Sequence, residues 1–148
     1  MPSIKRSFNA KATQGEVCSF FSNLRNLAIC FPGLEEFKEL GGNLSYWRVK
    51  IDLPMTTRTV ELQASLDKFT SSEANFTLKG LNENVDGSGN ASFKEKRDLT
   101  EVNFELSIEA GSVMAPFLNQ LIAMAMPRLA DRMIDNIVTA LERQEGGS

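Results

Sequence analysis

The hydrophobic pattern changes period once, near Gly111, and that change limits the folds open to this chain. From about Leu34 to Ala110 apolar residues recur at every second position; beyond Gly111 they recur at every third or fourth. Alternation marks half-buried antiparallel strands, and the longer spacing marks an amphipathic helix. One face of "LSYWRVKIDL" holds Ser45, Trp47, Val49 and Ile51. The following segments align Val60, Leu62, Ala64 and Leu66, then Ala74, Phe76 and Leu78. Next come Val85, Gly87, Gly89, Ala91 and Phe93, and finally Val102, Phe104, Leu106 and Ile108. After them Met114, Phe117, Leu118, Leu121, Ile122, Ala125, Leu129, Met133, Ile137 and Leu141 form one helical stripe. A sheet with one apolar face has to bury it, and this helix, of roughly 30 residues, is the only partner of comparable length. The expected class is α+β: a curved antiparallel sheet of about seven strands wrapped around a long C-terminal helix.

The front of the chain fits that plan. Ser3 to Asn9 reads as a strand with Ile4, Arg6 and Phe8 on one face. "TQGE" has the capping-box form, with Glu16 placed to reach back to the Thr13 amide. Val17, Phe20, Phe21 and Leu24 make one stripe, and Leu27 and Ala28 extend it, as a second short helix after a break near Asn23. "CFPG", Cys30 to Gly33, ends it, because the residue before a proline is pushed out of the helical region. Glu36 to Leu40 is expected as a short strand before a "GGN" hairpin turn. Residues 1–144 are read as a single domain and 145–148 as a flexible tail.

Composition narrows function. Net charge is −3, against the basic face that nucleic-acid binding usually needs. Histidine is absent, which removes the commonest general base and the commonest metal ligand. Cys18 and Cys30 are far from any CxxC spacing and read as small buried groups in a reducing compartment, so neither metal nor cofactor is expected. No apolar run approaches the roughly 18 residues of a membrane span, and "MPSIKRSFNA" lacks a signal core. A cytoplasmic location is expected. No serine or cysteine sits in a nucleophile elbow, and Gly87-x-Gly89 lies within a strand pattern, not at the start of a helix.

"LAICFPGLEEFKEL" (27–40), "GSGNASF" (87–93) and "AGSVMAPFLNQLIAMAM" (110–126), in this order, resemble segments of the carbon monoxide dehydrogenase G-subunit family. That family lies in the START-like superfamily, also called SRPBCC, Bet v 1-like or helix-grip. The resemblance covers nearly the whole chain, and CFPG is its most specific piece. It implies a hydrophobic tunnel between sheet and helix, and work alongside a molybdenum hydroxylase, in its maturation or in its link to membrane quinone. Many members continue into a membrane-associating tail, whereas this sequence ends at Ser148; at most peripheral membrane contact is expected.

The residues permit such a tunnel. Gly87, Gly89 and Ala91 put three small groups in a row on the inner face, opposite Ala123, Ala125 and the deformable Met124 and Met126. The same glycines would equally serve a sheet that bends sharply. Candidate ligand contacts are Trp47, Val49, Val60, Leu62, Phe76, Leu78, Gly89, Ala91 and Phe104 of the sheet, with Leu118, Leu121, Ile122, Ala125, Met126 and Leu129 of the helix. Pro127 either kinks one helix or starts a second, and in both cases the first half is expected to act as a lid. Ser45, Thr56 and Arg58 lie near strand ends; Arg58 either reaches the tunnel mouth, to hold a carboxylate or carbonyl, or stays in solvent. The inward set carries essentially no acid or base. The leading expectation is a non-catalytic carrier of an apolar small molecule: a quinone, isoprenoid or lipid. The alternatives are an adaptor with a filled core and a polyketide cyclase-like enzyme.

Overall fold

The computed structural model describes residues 2–111 and 115–146, the side chains of the last three excepted. The elements are β1 (Ser3–Ala10), α1 (Gln14–Phe21), α2 (Leu24–Cys30), β2 (Leu34–Gly41), β3 (Leu44–Leu53), β4 (Thr56–Phe69), β5 (Glu73–Gly80), β6 (Val85–Lys96), β7 (Leu99–Ala110) and α3 (Ala115–Gly146). The seven strands form one antiparallel sheet in the order β1-β7-β6-β5-β4-β3-β2. The helices α1 and α2 carry the chain from one edge to the other, and a meander returns it to β1. This is the helix-grip arrangement expected from the pattern.

Local chemistry sets the boundaries. The Thr13 hydroxyl accepts from the Glu16 amide at 3.1 Å, and Glu16 accepts from the Thr13 amide at 3.0 Å, which closes the capping box. The Asn23 side chain caps α2 by accepting from the Arg25 amide at 2.9 Å. Gly33 then turns into β2 at φ +90°, where a Cβ would sit 2.1 Å from the Lys50 carbonyl oxygen. No other residue fits that approach. Strand β2 begins at Leu34, two residues earlier than the alternation suggested, because the Lys50 amide donates to the Gly33 carbonyl and draws the turn onto β3.

The core joins both helical layers to the sheet. Phe21 stacks on Phe93 with centroids 5.3 Å apart, and Phe31 meets Trp47 edge-on at 6.0 Å. The Trp47 indole N–H donates to the buried Ser45 hydroxyl at 2.8 Å. Cys30 is buried, and that burial pushes its thiol up to about 11, leaving it inert at neutral pH. Cys18 is only half-buried.

Helix α3 is one uninterrupted helix of 32 residues with Pro127 inside it. Pro127 and Ala123 are both exposed, so the Ala123 carbonyl that loses its intrahelical donor faces water. A second helix starting at Pro127 is therefore not what forms. Ala123 and Met124 point outward, Met124 being 67% exposed, so of the four groups expected to face the sheet only Ala125 and Met126 do. The reason is the 3.6-residue period: a helix that turns Ile122 and Met126 inward must turn Ala123 and Met124 out, while Ala125, three residues after Ile122, stays at the edge of the inward face. Asn136 ties the second half to α2 by donating to the Cys30 carbonyl at 2.9 Å, and Asp131 pairs with Arg6 of β1 at 3.0 Å. Glu145 and Gly146, read from the sequence as tail, continue the helix. Met114, expected to open the helical stripe, lies outside the described residues, as do Ser112, Val113, Gly147 and Ser148.

Candidate functional site

The glycine row of β6 is filled, not hollow. Register pairs Phe76 with Gly89, Leu78 with Gly87, and Phe104 with Ala91. A Cβ on Gly89 would fall 2.0 Å from Cζ of Phe76, so the phenyl ring lies directly over the glycine. Phe76 in turn stands 6.5 Å from the Phe104 ring. The small residues thus receive large side chains from neighbouring strands of the same sheet.

The apolar space lies instead at one end of the sheet. Strand β5 ends at Gly80, paired with Leu62, while β4 extends back to Thr56 alongside β3. The missing length of β5 is replaced by the loop 81–84. Leu81 donates its amide to the Glu61 carbonyl at 2.8 Å, and the Asn82 side chain accepts from the Glu61 amide and donates to the Thr59 carbonyl. A loop satisfies the edge of β4 but does not supply the inward side chains of a strand. A cavity remains beneath it.

Ile51 and Leu53 of β3, Arg58 and Val60 of β4, Glu83 of the loop, Val85 of β6, and Ile108 and Ala110 of β7 form one wall. Leu118, Ile122, Ala125, Met126 and Leu129 of α3 form the other. Room for water-sized groups amounts to about 50 Å³, enough for a few waters at most. Counted out through its open mouth, solvent space included, the empty space is about 510 Å³. The site is therefore a narrow slot with a wide entrance.

Of the residues expected to contact a ligand, Val60, Leu118, Ile122, Ala125, Met126 and Leu129 line this slot. Trp47, Val49, Leu62, Phe76, Leu78, Gly89, Ala91 and Phe104 lie in the filled core, and Leu121 is buried away from the slot. Ile51, Leu53, Glu83, Val85, Ile108 and Ala110 join the lining without having been expected there. Five of them, Ile51, Leu53, Val85, Ile108 and Ala110, have the inward parity of their strands, so face was legible; depth along the strand was not.

Arg58 has the same parity as Val60 and Leu62, and its side chain turns inward. Its Nη1 donates to the Glu83 carboxylate. The two side chains are 40% and 26% exposed, which places the pair at the mouth. They are the only ionisable groups in the described lining, and each neutralises the other. Among the described residues no group of three or more metal-binding side chains occurs, and no helix is long and apolar enough to cross a membrane.

One contact fixes how far α3 stands from the sheet here. The Asn119 amide spans the end of β7: its Oδ1 accepts from the Ala110 amide at 2.8 Å, and its Nδ2 donates to the Ala110 carbonyl at 3.2 Å. Ala110 and Leu118 both line the slot, so this clamp sits beside it. Asn119→Ala removes both bonds, and backbone amides from 115 to 126 should exchange hydrogen about tenfold faster, while those from 133 to 141 keep their protection. Unchanged exchange in the first half would show that the clamp does not hold α3.

The profile of a family described as the G subunit of carbon monoxide dehydrogenase (CoxG) matches residues 7–142. No curated protein matches the sequence. Among solved structures, a conserved protein from Geobacillus kaustophilus is similar at 15% identity and a TM-score of 0.78, over 95% of each chain. A START superfamily protein from Mycobacterium smegmatis is similar at 10% identity and 0.74, over 96% of this chain and 98% of its own. An aromatase/cyclase from Streptomyces sp. R1128 is similar at 13% identity and 0.67, over 96% of this chain and 94% of its own. At these identities the three show the fold alone.

Proposed function

The chain belongs to the carbon monoxide dehydrogenase G-subunit (CoxG) family, and we propose that it binds and carries an apolar small molecule between the end of its sheet and the first half of α3. The ligand class is a quinone, isoprenoid or lipid, and the work is accessory to a cytoplasmic molybdenum hydroxylase of the carbon monoxide dehydrogenase type. The observation that carries this reading is the slot itself. Its walls are apolar apart from one self-neutralising ion pair, and one wall is a helix whose Asn119 hydrogen-bonds the end of β7 beside the slot. A space of about 50 Å³ is too small for such a ligand as it stands, so loading requires α3 to move outward about the Asn119 clamp.

Binding is favoured over acid–base catalysis, because Arg58 and Glu83 are engaged with one another. Exposed apolar side chains stand beside lining residues in the chain: Met55 near Leu53, Leu81 near Glu83, and Phe117 next to Leu118. Exposed apolar groups of this kind suit transfer of a ligand to or from another apolar surface. Denaturing mass spectrometry of organic extracts from freshly purified protein tests the reading. An apolar compound recovered in stoichiometric amount is expected; an empty extract, together with no uptake of added quinone, isoprenoid or fatty acid, would leave only a docking surface.

A further inference from the structure

Arg58 Nε is buried and has no hydrogen-bond partner among the described residues. Buried donors are rarely left unpaired, and an orphaned guanidinium N–H in an otherwise apolar wall marks the place where an acceptor belongs. The Nη1 of the same guanidinium is engaged by Glu83, so the cation already has its counter-charge. We propose that Arg58 is the head-group residue of the slot: Nε–H donates to one oxygen of the ligand, and the Glu83 pairing selects an uncharged oxygen over a carboxylate. The proposal rests on the carrier reading above and adds the chemistry of the ligand's polar end.

The selection follows from charge. A carbonyl oxygen entering beside the pair gains a charge-assisted hydrogen bond and brings no ion into an apolar wall. A carboxylate would meet Arg58 but also stand beside Glu83, and it would leave the half-buried mouth with a net negative charge. Geometry supports the arrangement. Ile51 pairs with Arg58 across β3 and β4, so the guanidinium stands beside an aliphatic neighbour, while Ile122 and Met126 of α3 line the opposite wall. An elongated molecule would place its chain along the helix and its oxygen at the arginine.

The test compares two probes of equal chain length, decan-2-one and decanoate, by equilibrium binding to wild type, Arg58→Met and Glu83→Gln. Wild type should prefer the ketone at least about tenfold, the size of one hydrogen bond to a charged donor. Arg58→Met should lose about tenfold for the ketone, and Glu83→Gln should gain about tenfold for decanoate with the ketone little changed. Glu83 sits in a loop, so its variant keeps the test open if Arg58→Met folds poorly. Equal ketone affinity in wild type and a folded Arg58→Met, or no gain for decanoate in Glu83→Gln, overturns the proposal while leaving the carrier reading intact. Binding of neither probe to wild type overturns both.

Discussion

Gly89→Ala is expected to destabilise the protein by about 3 kcal/mol, at the upper end for overpacking a filled core. A methyl there would overlap the Phe76 ring at 2.0 Å from Cζ, 2.4 Å from Cε1 and 2.6 Å from Cε2. The ring has nowhere to go, since Phe76 is 1% exposed and Phe104 stands behind it. At an unstrained site the same substitution would stabilise by roughly 0.4–1 kcal/mol through the unfolded chain, so the sign is diagnostic. In a urea titration the midpoint should fall with little change in slope. The double variant Gly89→Ala/Phe76→Leu should cost less than the sum of its parts, because trimming the ring makes room for the methyl. A neutral or stabilising Gly89→Ala would mean that the inner face of β6 borders empty space after all.

Ala125→Phe is the opposite case, with the largest expected effect on binding. Ala125 is half-buried on the slot wall of α3, and a phenyl group there would occupy the room between Val60 and Ile108 of the sheet and the helix. Affinity for a short-chain quinone should fall about 100-fold or more, since the ligand would have to displace a packed ring. Stability should stay within about 1 kcal/mol, because the cost in helix propensity is offset by new apolar contact. Undiminished quinone affinity in a folded Ala125→Phe protein would place the ligand elsewhere. Loss of folding would show that the slot is tighter than its walls suggest.

The contrast between these sites shows what the sequence carried. Alternation located every strand, the Thr13 box located α1, and the three-four spacing located α3, because each is a local pattern set by burial of one face. The inward faces of β3 to β7 were legible for the same reason. The cavity was not, because it depends on register and strand length. Gly89 looked like space until its cross-strand neighbour proved to be Phe76, and nothing local fixes that pairing. The true opening arises because β5 stops at Gly80 while β4 does not, a mismatch settled by the Asn82 contacts to Thr59 and Glu61. Helix phase blurs where apolar residues run together: of residues 123–126 only Ala125 and Met126 face inward. Arg58 could be read from its parity with Val60, but its partner Glu83 comes from a loop.

An apolar ligand should enter beside the first half of α3, not at the middle of the sheet. Methyl spectra of protein carrying 13C-labelled methionine, titrated with a short-chain quinone, test this directly. Met126 lines the slot, Met133 is buried beyond it, and Met55 is 95% exposed on the β3–β4 turn. Saturable movement of the Met126 methyl with Met133 unmoved is the expected result; a static Met126, or a shift centred on Met133, would contradict it.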